Sequence, residues 1–148
     1  MTPKQIRTLL EEIILPHGGR SFDSEEHPNF QDPRVLEYLR RHGREFDKTG
    51  LEICRIANRN CHSNVSVGDL ILRPDYHIAH GFALGADELW YPHSWGVQYG
   101  HIIETCPLEG QGRTKYFGFE LPTGTNVNAT QGGLENELER LNLLPPAN

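Results

Sequence analysis

Three side chains in this sequence have the types and order of a thiol nucleophile, its proton acceptor and an orienting acid. They are Cys61 in Asn60-Cys61-His62, His93 in Tyr91-Pro92-His93-Ser94-Trp95-Gly96, and Glu104 in His101-Ile102-Ile103-Glu104-Thr105. A cysteine attacks a carbonyl carbon as thiolate, and its ordinary pKa of roughly 8.5 leaves it mostly protonated at neutral pH. A neighbouring imidazole takes the proton, and a carboxylate behind the imidazole fixes the ring and stabilises its charged form. Cysteine-dependent acyl chemistry on an amide is the expectation. Asn58 or Asn60 is a candidate donor to the developing oxyanion, alongside backbone N–H groups if a helix starts at Cys61. Trp95 lies two residues past His93 and so on its face of a strand, a candidate to shield the imidazole or line an acyl-binding groove.

Rival chemistries use the same residues. Eight histidines are many for 148 residues, and Cys61, His62, His77, His80, His93 and His101 are conceivable zinc ligands. His77 and His80, three apart on an expected strand, point to opposite faces, and there is no Cys-x-x-Cys pair. No metal and no cofactor are expected. The other alternative is a non-catalytic protein-binding domain that recognises its partner through aromatic side chains such as Trp90, Trp95 and Phe117. Cys54, spaced helically with Ile53 and Ile56, and Cys106, late in a strand, read as buried small apolar residues.

These residues need elements to position them. Thr2-Pro3 caps a first helix with Ile6, Leu9, Leu10, Ile13 and Ile14 inward, ending before Pro16. Residues 18–32 lack a period and read as a loop or lid. Asp32-Pro33 opens a second helix with Val35, Leu36 and Leu39 inward, stopping at His42-Gly43, and its Arg34, Arg40, Arg41 and Arg44 read as a solvated face. Leu51, Ile53 and Ile56 suggest further helix before Cys61. Strand-like runs then follow at 76–84, 88–97, 101–106 and 115–121, joined by gaps too short for crossover helices, so antiparallel pairing is predicted. A leucine stripe, Leu134, Leu138, Leu141 and Leu144, predicts a last helix.

The turn between the second and third of these runs decides the mechanism. A two-residue turn at Tyr99-Gly100 pairs Gln98 with His101 and puts His93 and Glu104 on one sheet face as diagonal neighbours, roughly 7–8 Å apart at Cα. A slip of one residue sends Glu104 to the other face.

In this order and spacing the chain resembles the papain-like fold group in its transglutaminase-like form. There a cysteine at a helix start is followed by a hairpin carrying a histidine, usually before an aromatic as in His93-Ser94-Trp95, then by an acid before threonine or a similar residue, as in Glu104-Thr105. The likeness covers roughly residues 50–121. It implies cysteine-based acyl transfer: amide hydrolysis, glutamine deamidation, transamidation or acylation of an amine. The expected fold is α+β, N-terminal helices packed on a twisted antiparallel sheet. One domain over 1–148 is expected, with a helical part (1–50), the Cys-His-Glu core (50–121) and a C-terminal loop and helix (122–148).

Composition narrows the partners. The net charge of −6 disfavours nucleic acid, whose phosphates need a basic surface. No apolar run approaches a membrane span and the N-terminus reads as an amphipathic helix, so a cytoplasmic protein with no membrane partner is expected. A protein or a small amide is the expected substrate.

Overall fold

The computed structural model describes residues 1–24, 27–54, 75–105, 112–122 and 133–145. Asn58, Asn60, Cys61, His62 and Cys106 lie outside the described residues, as does the segment after Cys61 that was considered for a helix.

Helix α1 (Pro3–Ile14) begins as its sequence dictates. The Thr2 hydroxyl accepts from the Gln5 N–H at 3.2 Å, and the Gln5 side chain accepts from the Thr2 N–H at 2.7 Å. A 3₁₀ turn, Leu15–His17, follows. Helix α2 (Pro33–His42) is capped by Asp32, whose carboxylate accepts from the Arg34 N–H at 2.8 Å. A short helix α3 (Leu134–Arg140) packs beside it. Arg34 does not belong to a solvated face. Its guanidinium reaches Asp32 at 2.7 Å, Glu139 of α3 at 2.6 Å and the Pro145 carbonyl at 2.6 Å, fastening the C-terminal helix to α2. Arg40 and Arg41 pair with Glu37 on the surface, as their helical spacing suggests.

The described strands are β1 (Ser21–Phe22), β2 (Arg44–Phe46), β3 (Glu52–Ile53), β4 (Tyr76–Gly85), β5 (Leu89–Gln98), β6 (His101–Glu104) and β7 (Arg113–Glu120). They form one sheet in the order β2-β7-β4-β5-β6-β3, with β1 also paired to β5. The fold is therefore mixed α+β. Its four long runs are antiparallel as expected, and β2 adds an antiparallel edge. The expectation of a wholly antiparallel sheet is corrected by β1 and β3, which pair parallel to β5 and β6. Both come from the N-terminal half and reach the sheet on the side away from β4. Each is two residues long, too short to show a period of two. The segment read as a loop at 18–32 thus holds a strand and a 3₁₀ turn, Pro28–Phe30. The helical reading of 51–53 likewise gives way to β3, and the Cys54 N–H donates to the Glu104 carbonyl at 2.9 Å.

Alternation divides the sheet into two faces. One presents Phe82, Leu84, Trp90, Phe117 and Phe119 to Leu10, Ile14, Val35, Leu36, Leu39, Leu134 and Leu138 of the helices. Each such residue fully buried contributes about 1.5–3 kcal/mol relative to exposure. The other presents Phe46, Ala79, Ala83, Trp95, Val97, Ile102 and Tyr116. Gly81 and Gly118 face each other across β4 and β7, where a Cβ on either would sit 2.1 or 2.2 Å from the opposing carbonyl oxygen. Only glycine permits so close an approach of the backbones.

Candidate active site

The Tyr99-Gly100 turn has φ of 51° and 79°, left-handed at both positions, the geometry that matches the twist of a two-residue hairpin. Gln98 pairs with His101, Val97 with Ile102 and Gly96 with Ile103, the register expected from the sequence. The consequence is contact between two side chains eleven residues apart. His93 Nε2 lies 3.0 and 3.1 Å from the two carboxylate oxygens of Glu104.

Two further residues complete this network. The Tyr116 hydroxyl donates to Glu104 Oε2 at 2.5 Å, and an Arg113 guanidinium nitrogen lies 3.1 Å from the same oxygen. His93 and Glu104 are 2% and 3% exposed. Trp95, fully buried, stacks on the imidazole with ring centroids 5.9 Å apart, and the Tyr116 ring lies 5.8 Å from it. Burial pushes the Glu104 carboxyl upward, but the hydrogen bond from His93, the charges and the Tyr116 hydroxyl together hold it below its ordinary value. Burial lowers His93, against the pull of Glu104, with Arg113 adding to the lowering. The pair is thus carboxylate and neutral imidazole. A carboxylate only accepts, so Nε2 carries the ring proton and Nδ1 the lone pair.

Arg113 and Tyr116 were not singled out from the sequence. A tyrosine in an aromatic core needs a partner for its hydroxyl, which is a signal. The identity of that partner depends on the β4–β7 register, which pairs Tyr116 with Ala83 and which no local pattern encodes.

The outer edge of β5 is interrupted beside the histidine. Strand β1 pairs with Leu89 and Trp90, and β6 pairs from Gly96 onward. Between them, no described strand borders residues 91–95 on that edge. A cavity of about 320 Å³ adjoins the gap, its described lining including His27, Asn29 and Phe30 from the 3₁₀ segment, His80 from β4, and Pro92 and His93. His80 is buried, with Nδ1 2.7 Å from the Ser94 hydroxyl across the strands.

The other described histidines considered as metal ligands are dispersed. His77 Nδ1 lies 3.3 Å from the Leu121 carbonyl and His101 Nδ1 3.4 Å from that of Thr49. Among the described residues no three metal-ligating side chains converge. Cys54 is a free thiol, half-buried against Tyr76, Ile78 and Ile103. No described helix is long and apolar enough to cross a membrane. In comparison with known proteins the chain matches no family model, no curated protein and no solved structure.

Proposed function

We propose that the protein is a cysteine-dependent amide hydrolase or acyltransferase of the papain-like, transglutaminase-like kind, with Cys61 as nucleophile, His93 as general base and then acid, and Glu104 as orienter. The observation that carries this reading is the hydrogen bond between His93 Nε2 and an ionised, enclosed Glu104. It leaves Nδ1 as the basic atom of the ring. In the reaction Nδ1 takes the Cys61 proton, and the thiolate sulfur bonds to the amide carbon. The imidazolium returns that proton to the leaving nitrogen as the C–N bond breaks, releasing the amine from a thioester. Water or a second amine, deprotonated by His93, then attacks the thioester and restores the thiol. Asn58 or Asn60 is the proposed donor to the oxyanion, and Trp95 keeps water from the imidazole. An enclosed hydrogen-bonded network around an ionised carboxylate also suits a second reading, a non-catalytic binding domain in which His93 and Glu104 hold the hairpin together.

Alkylation separates the two. With iodoacetamide, Cys61 should react faster than Cys54 and Cys106, with a midpoint below roughly 8.5, and His93→Ala should return the midpoint toward that value. Superimposable rate–pH curves for wild type and variant would remove His93 as activator and leave the binding domain.

A further inference from the structure

His27 is 2% exposed, yet neither ring nitrogen makes a well-formed hydrogen bond among the described residues. Its ring is held edge-on against Phe82 at 5.1 Å and near Phe22 at 5.5 Å, and Phe30 packs on the same Phe82 at 5.0 Å. These contacts fix the imidazole at the wall of the cavity beside Pro92 and His93. We propose that this cavity binds an uncharged, largely apolar group bearing one hydrogen-bonding function, and that His27 is the residue that recognises it.

Three observations determine the ligand class. The volume, about 320 Å³, is at the lower end of the roughly 300–1,000 Å³ of small-molecule sites. Phe30, Pro28 and Pro92 supply apolar surface, while His27 and Asn29 supply polar atoms that are themselves buried. The described lining contains no carboxylate, lysine or arginine. Burial, reinforced by the Arg7 cation and opposed by the Ser24 backbone, pulls His27 down to about 4, so its ring is neutral near pH 7. Arg7 itself is engaged by Glu11 at 2.8 Å and the Ser24 carbonyl at 2.7 Å. A carboxylate or an ammonium entering the cavity would lose its water and meet no counter-ion among the described lining residues. A carboxamide on an aryl or branched alkyl group loses little by comparison and offers the imidazole a well-formed hydrogen bond.

As a binding site the cavity stands by itself. As the subsite for the side group of an amide substrate it rests on the acyl-transfer reading, because Pro92 and His93 border it.

Benzamide, benzoate and benzamidine have nearly one shape and differ in charge, which makes them the probes. Titrations of the full chain, followed by NMR of ¹³C-labelled histidine rings, should show saturable shifts of the His27 signals with benzamide. Benzoate and benzamidine should bind at least about tenfold more weakly, the expected effect of an unpaired buried charge. In His27→Phe, benzamide should bind several-fold more weakly; should that variant fail to fold, the three-probe comparison on wild type decides alone. Equal affinity for all three probes, no benzamide binding up to its solubility, or shifts that leave His27 unmoved would overturn the proposal. Cys61 alkylation on the same samples keeps the two readings apart: benzamide binding with a Cys61 indifferent to His93 preserves the site and removes acyl transfer, and the reverse result removes only the site.

Discussion

At the scale of the residue, Glu104 stays charged inside the protein because three donors converge on it: the His93 ring, Arg113 and Tyr116. Removing the charge and removing one donor should therefore differ. In Glu104→Gln the amide oxygen still accepts from His93 Nε2, but the Arg113 cation loses its anion in a nearly water-free place. We expect a loss of about 1–3 kcal/mol in urea denaturation and, if the protein is an enzyme, a turnover reduced on the order of tens-fold because the imidazolium is no longer stabilised. In Tyr116→Phe the ring packing remains and one hydrogen bond goes. We expect roughly 1–2 kcal/mol, with a much smaller change in the pH profile of Cys61 alkylation. A Tyr116→Phe effect as large on that profile as Glu104→Gln would mean that the hydroxyl, not the carboxylate charge, governs the histidine.

At the scale of the element, the hairpin turn carries a cost that its sequence leaves uncorrected. Tyr99, 68% exposed, occupies a left-handed position where asparagine is favoured. Tyr99→Asn should raise stability by about 0.5–1 kcal/mol without changing Cys61 alkylation; a lower melting temperature would show that the Tyr99 ring contributes contacts outweighing its backbone strain. This hairpin, both helix caps and the four long strands were legible because each is written in a local code: a turn dipeptide, a capping residue, a run of alternating apolar side chains. What was not legible depends on distant partners. Ser21-Phe22 and Glu52-Ile53 are strands only because β5 and β6 offer them an edge, and two residues carry no period. Arg34 reads as one of four exposed arginines until Glu139 and Pro145 come beside it. In the candidate site, His93 and Glu104 followed from the turn, whereas Arg113, Tyr116 and His27 required the register of whole strands and the seating of a segment read as a loop.

At the scale of the molecule, the buried imidazoles make stability depend on pH. His27, with its value near 4, and His93, also lowered, stay neutral in the folded chain under conditions where the unfolded chain binds protons at about 6.5. The unfolded state thus holds more protons below about pH 6.5, and stability falls as pH is lowered from there, for His27 down to about 4, by up to roughly 1.4 kcal/mol per pH unit for each histidine still neutral in the fold. Above about pH 6.5 this source contributes no slope. Asp32 and Glu104, whose carboxyls are held low, add their own loss only at more acidic pH. Urea midpoints between pH 4.5 and 7.5 should show the slope, and His27→Phe should reduce it by one proton's share; an unchanged slope would mean that His27 is already charged when folded. The docking of β1 on β5 has a last consequence, for the order in which the chain assembles. The His93–Glu104 contact closes a loop of eleven residues, whereas the Trp90 indole reaches back 72 positions to the Gly18 carbonyl. Short loops close first, so the hairpin should be formed in the transition state and the N-terminal clasp should not. In stopped-flow refolding, Tyr99→Asn should therefore speed folding while Trp90→Phe should chiefly speed unfolding. During synthesis the segments that carry β1 and β3 leave the ribosome before the strands they will pair with exist, and they must wait, unpaired, for their edge to be made.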